Sequence, residues 1–233
     1  RLISVSAVQY HNGFRMDLPR IGRFCREQNI LFCVDAIQQL GALQFDVQHI
    51  GADFVIADGH KWLLSGEGLG LFYVRNAVMD RLQILQYGWH MAKPLADYSA
   101  HSFELASSAR RFECGSPNML GIHAMQASLG VLLSTGLDLI ERQVLENTRF
   151  LLQGLSAIAG VEVLTDSTAQ RLSGIVTFNS EQLSADKLYQ RLSVENILCA
   201  PRGGGVRLSP HFYTPRTQLE QALAVIERVL KNG

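Results

Sequence analysis

Four short apolar runs recur within the first 74 residues, at 2–8, 30–34, 54–57 and 69–74. Each has the length and the content of β-branched and aromatic residues that suit a buried strand. Between the first two lies a segment of helical period. Asp17 stands at its N-cap with Pro19 in the first turn; Leu18, Ile21, Phe24 and Cys25 recur at helical spacing, and the pattern ends near Asn29. Strands that alternate with helices in this way predict an α/β layer on a mostly parallel sheet.

The texture changes downstream. Residues 77–85 predict a short helix and 88–102 an irregular stretch. Pro117 opens a helix that runs through Leu133 and is stopped by Gly136. A longer helix follows over 138–158, with Leu139, Ile140, Val144, Leu151, Leu152 and Leu155 among its apolar positions. After Gly160, strands at 161–164, 172–178, 197–200 and 206–209 are interleaved with a helix over 184–195. Thr214 and Pro215 open a last helix with Leu219, Ala222, Leu223, Ile226 and Val229 on one face. This is the pattern of a small α+β unit, and the expected division is residues 1–134 and 135–233. A buried strand that starts at residue 2 predicts further sequence upstream; a trimmed tag before Arg1 is the other reading.

Composition excludes some functions. Lysine plus arginine number 21 and aspartate plus glutamate number 21, which is not the footprint of a nucleic-acid binder. The longest apolar-rich segment, 119–133, is interrupted by His123, Gln126 and Ser128 and predicts a buried helix rather than a membrane span. Cys25, Cys33, Cys114 and Cys199 are scattered, a poor disulfide framework that points to a reducing, cytoplasmic compartment. His11, His49, His60, His90, His101, His123 and His211 show no close ligand spacing, so no metal site is expected.

Asp35 directly follows the second run, and Lys61 follows the third by the short turn DGHKW, residues 58–62. In α/β sheets ligands bind beyond the carboxyl ends of strands, so the two side chains are expected to face one crevice. Each has a plainer reading alone: a helix cap for the acid, a solvated side chain for the lysine, and simple packing for Trp62. Together, an acid and a lysine suit pyridoxal phosphate. That cofactor is held to a lysine as a Schiff base, with an acidic partner that keeps the ring nitrogen protonated.

The stretch VDAIQQLGALQFDVQHIGADFVIADGHKWLLSGEGLGLFYV, residues 34–74, resembles the core of class V aminotransferases, the group that includes cysteine desulfurases, kynureninase and isopenicillin-N-epimerase-like proteins. The family's Asp-x-x-Gln pattern is Asp35 and Gln38, and its Gly-His-Lys pattern is Gly59, His60 and Lys61. RFECGSPN at 111–118 and VRLSPHFYT at 206–214 resemble two further family segments, so the likeness runs along essentially the whole chain. The resemblance implies the fold-type-I architecture of pyridoxal-phosphate transferases: a partial large domain with a mostly parallel sheet, then a small C-terminal α+β domain. It implies that Lys61 carries the cofactor, Asp35 pairs with its ring nitrogen, Gln38 bonds its ring hydroxyl and His60 contacts its phosphate. Ser116 stands where the family has a threonine that reaches the neighbouring subunit's phosphate, which implies a homodimer with shared active sites. Arg207 would clamp the substrate carboxylate with two donors; a surface salt bridge is its plainer reading. Asp58 departs from the pattern, because the family often has a serine or threonine there that donates to phosphate.

The implied substrates are an amino acid and, for transamination, a 2-oxo acid. A desulfurase needs a nucleophilic cysteine ahead of the carboxylate arginine. Cys199 is the nearby candidate, and a buried small apolar residue is its plainer role. Aminotransferase is therefore the expected activity. Desulfurase, epimerase or lyase chemistry of the same family, or a non-catalytic remnant, stand as alternatives. The glycines at 66, 68 and 70 precede a strand instead of joining one to a helix, so they shape a turn and do not form a dinucleotide fingerprint. Ser65 and Glu67 are read as turn residues.

Overall fold

The computed structural model describes residues 1–232 apart from 94, 96, 98, 100 and 101. His101 and part of the stretch expected to be irregular lie outside the described residues. The chain folds into two compact units. One comprises residues 1–5, 18–37 and 46–130, the other 6–17, 38–45 and 131–233.

The first unit holds β1 (Leu2–Ser6), α1 (Leu18–Glu27), β2 (Leu31–Asp35), α2 (Val47–Ile50), β3 (Phe54–Asp58), β4 (Gly70–Val74), α3 (Asn76–Met79), the short pair β5 (Ala92–Lys93) and β6 (Glu104–Leu105), and most of α4 (Met119–Thr135). The main sheet has the order β1-β2-β3-β4. β2 and β3 are parallel, with Asp35 opposite Ile56; β3 and β4 are antiparallel, with Asp58 opposite Gly70. The reversal at β4 follows from the connection. Residues 59–69 are too few for a crossover helix and return the chain directly alongside β3.

Several elements end for local reasons. Asn29 takes the left-handed φ of 52° that stops α1, and Ile30 N–H then donates to Cys25 O at 2.8 Å, the pattern of a Schellman stop. Gly22 lets α1 pass close to the end of α2, since a Cβ there would stand 1.9 Å from Ile50 O. The helix expected over 77–85 is only α3, because the chain after Met79 tightens into three-residue turns, with Arg81 N–H donating to Val78 O. Phe54, Val74, Val78 and Met79 form a buried cluster here, against which Leu31, Cys33 and Phe112 pack.

The second unit holds α5 (Leu137–Ser156), β7 (Val161–Val163), β8 (Val176–Ser180), α6 (Ala185–Val194), β9 (Ala200–Arg202), β10 (Gly205–Leu208) and α7 (Arg216–Lys231). Its sheet runs β7-β8-β10-β9, antiparallel throughout. Leu151, Leu155, Phe178, Leu188, Leu192, Val206, Leu219 and Ile226 fill the core that the helices share with it. β8 begins four residues later than expected. Ser173 instead donates to Gly13 O at 2.7 Å, and Gly13 packs so closely that a Cβ on it would meet Ile175 O at 2.4 Å. β9 also begins late. Asn196, with φ of 61°, ends α6, and Ile197 N–H is taken by Leu192 O. Among the described residues no single helix is long and apolar enough to cross a membrane.

Candidate active site

Asp35 ends β2 and is half-buried. Its Oδ1 accepts from Ile37 N–H at 3.0 Å, a local turn of the kind aspartate favours. The helix-cap reading does not hold, because turns and not a helix follow. Oδ2 has no hydrogen-bond partner among the described residues, so one carboxylate oxygen at the strand end is open to a ligand.

Lys61 lies in the loop between β3 and β4, beyond the carboxyl end of the strand that pairs with β2 in parallel. The loop is closed by its own backbone. Gly59 N–H donates to Leu69 O, Ser65 N–H to Gly59 O and Leu64 N–H to Lys61 O, all within 3.0 Å. Trp62 and Leu63, each 5 % exposed, anchor it from below and leave Lys61 half-buried. Leu64 is held at φ 61°, a conformation that costs a non-glycine residue about 1–2 kcal/mol. Such strain persists only where the surroundings over-determine it. Gly59 lies close to α4: a Cβ on it would stand 2.4 Å from Met125 Cε, the flexible end of that side chain. Ser65 is more than a turn residue in one respect: its Oγ is buried without a hydrogen-bond partner among the described residues.

The segment that carries Ser116 is tied to this loop by a residue that sequence reasoning passed over. Asn118 Nδ2 donates to Gly68 O at 3.0 Å, while its Oδ1 accepts from Gly121 N–H at 3.0 Å and caps α4. The sequence signal was present, because asparagine is a preferred cap, but it was masked by Pro117. Glu113 Oε2 lies 3.3 Å from His90 Nδ1 beside the same segment. Ser116 and His60 are exposed. Asp58 is exposed too. It leans toward β4, its Oδ1 3.2 Å from where a Cβ on Gly70 would be.

In the second unit Gln38 is buried. Arg207 sits on β10 opposite Thr177 and Ala200, and its Nη1 donates to Tyr10 O at 2.8 Å. It makes no ion pair among the described residues, so the surface salt-bridge reading fails, and its Nε is buried without a partner. Burial, followed by the nearby Arg202 guanidinium, lowers its affinity for the proton. Cys199 packs against the core of this unit, and burial pushes its thiol up to about 11. All four cysteines are free. No group of three or more His, Cys, Asp or Glu side chains suited to a metal ion occurs among the described residues.

The family model described as aminotransferase class-V matches residues 1–213. The chain belongs to that family. A probable cysteine desulfurase of Methanothermobacter thermautotrophicus is 27 % identical over all of this chain and 61 % of its own length. An uncharacterized aminotransferase of Bacillus subtilis is 28 % identical over 95 % of this chain and 58 % of its own. The apo structure of a cysteine desulfurase from Thermococcus onnurineus superposes on the whole chain with a TM-score of 0.90 at 26 % identity and is covered over 60 % of its length. The chain thus spans about three-fifths of the relatives it matches. The fold is fold type I, as expected, and the family is one of pyridoxal-phosphate enzymes.

Proposed function

We propose that this chain belongs to a pyridoxal-phosphate enzyme acting at the α-carbon of an amino acid, as an aminotransferase. The observation that carries the reading is the presence in the first unit of Asp35, with one open carboxylate oxygen, at the carboxyl end of β2, and of Lys61 just beyond the carboxyl end of the neighbouring parallel strand β3. This donor set fits the cofactor: an acid for a ring N–H and an amine for covalent attachment. When bound, the cofactor withdraws electrons from the substrate carbon and so acidifies its C–H bond. Asp35 would accept the hydrogen bond of the ring nitrogen and keep it charged. Lys61 would hold the group covalently and, as a free amine, would move a proton at the α-carbon. Gln38 would meet the ring hydroxyl, and His60 and Ser116 the phosphate, Ser116 across a homodimer. Arg207 grips the substrate carboxylate. Residues 1–134 are read as the C-terminal part of the large domain and 135–233 as the small one.

Transamination predicts that the loaded protein, given an amino acid and no acceptor, releases one 2-oxo acid per site and then stops until a 2-oxo acid is added. Cysteine desulfuration is the second reading, favoured by the names of the desulfurase relatives. It predicts repeated release of reducible sulfur from cysteine. The state of the Cys199 thiol counts against it, because a thiol pushed up to about 11 is protonated at neutral pH and is a weak nucleophile.

A further inference from the structure

β9 and β10 form a hairpin in which Ala200 faces Arg207, Pro201 faces Val206 and Arg202 faces Gly205. Cross-strand partners share a face of a sheet, and so do residues two apart on one strand. Arg202 and Arg207 therefore project from the same side, as diagonal neighbours about 7–8 Å apart at the backbone. Gly203 and Gly204, with φ of 58° and 82°, make the tight turn that sets this register. A Cβ on Gly203 would meet the His11 side chain at 3.2 Å, so an imidazole lies against the same turn.

The charges of this cluster are not balanced from within. Arg207 donates to Tyr10 O and Arg202 to its neighbour Pro201 O; both acceptors are neutral carbonyls. Among the described residues neither arginine has an ion-pair partner, and Arg207 Nε is buried with no acceptor. Two guanidiniums side by side, one of them desolvated, repel each other and are stabilised when anionic oxygens come between or across them. One carboxylate satisfies the fork of one arginine. The second arginine then has donors for a second acid group.

We infer that Arg202 is a second anion-binding residue beside Arg207, and that the pair selects an amino acid whose side chain ends in an acid group. This rests on the proposed role of Arg207 at the α-carboxylate. Arg207 holds that group, and Arg202 reaches the side-chain carboxylate or sulfinate of the same molecule.

Succinate and butyrate separate the two roles without turnover, since both present one carboxylate and only succinate presents two. Calorimetric titration of the protein is expected to show succinate binding roughly tenfold more tightly than butyrate, the worth of one added charge-assisted contact. R202Q, on an exposed hairpin position, is expected to erase that difference and leave butyrate binding unchanged. R207Q is expected to weaken both acids. Equal affinity for the two acids in the unaltered protein, or an equal loss for both in R202Q, overturns the role of Arg202 while R207Q still reports on Arg207. Unchanged binding of butyrate in R207Q, or no binding of either acid to the unaltered protein, overturns the assignment of Arg207 and this inference with it.

Discussion

Asp53 accepts from Phe32 N–H at 2.9 Å and from Arg75 Nε at 2.8 Å. Its own N–H donates to Phe32 O, and its carbonyl accepts from Arg75 N–H. One buried residue thus ties the amino ends of β2 and β3 to the chain leaving β4, at the opposite end of the sheet from Lys61. D53A strands the Phe32 N–H and the Arg75 guanidinium, and urea unfolding is expected to show a loss of about 2–3 kcal/mol, the half-exposed arginine being partly rescued by water. Cys199 yields a second residue-scale test. Its thiol is neutral far above neutral pH when folded and ionises nearer the ordinary thiol value when unfolded. Between about pH 9 and pH 11 the unfolded chain therefore binds fewer protons than the folded one, so this group's contribution to stability falls as pH rises through that window. C199A is expected to flatten that fall in pH-dependent unfolding, and under the transaminase reading it leaves turnover with an amino acid intact. Loss of turnover in C199A would restore the desulfurase reading. Of these residues the sequence made Cys199 legible, through its setting in an apolar run. Asp53 was invisible, because an aspartate ahead of a strand carries no sign that three strands converge on it.

At the scale of elements, periodicity located most strands and helices; α2, β5 and β6 carried no such signal, and the other misses lie at boundaries set by tertiary contacts. Residues 172–175 have strand-like composition but are captured by Gly13, a partner about 160 positions away that no local pattern reveals. Residues 197–199 are used up in closing α6. The two asparagine stops make this testable. At Asn29 and Asn196 the left-handed backbone favours glycine or asparagine, so N196G is expected to hold thermal stability and N196V to cost about 1–2 kcal/mol in unfolding experiments. The loop over 59–69 shows the same limit from the other side. Its position after β3 could be read from the chain, whereas the strained Leu64 and the clasp from Asn118 could not, because they exist only once the loop has closed on α4.

For the molecule as a whole, the family segments made the architecture legible and left the reaction open, because residues that bind a shared cofactor recur across several chemistries. The surface adds one expectation. Leu71, Phe72 and Tyr73 on β4 and Met119, Leu120, Val131 and Leu133 on α4 are large apolar side chains left exposed. With the proposed sharing of sites through Ser116, light scattering is expected to give twice the chain mass, and L120D with L133D to shift it toward that of one chain. The central claim concerns Lys61, and reductive trapping tests it most directly. Pyridoxal phosphate is added to the protein, the visible absorbance is recorded, borohydride is added, and the peptides are mapped by mass. The account predicts a cofactor mass fixed on Lys61 and none in K61A. An unmodified Lys61, or the same mass spread over other lysines in K61A and in the unaltered protein alike, would contradict it.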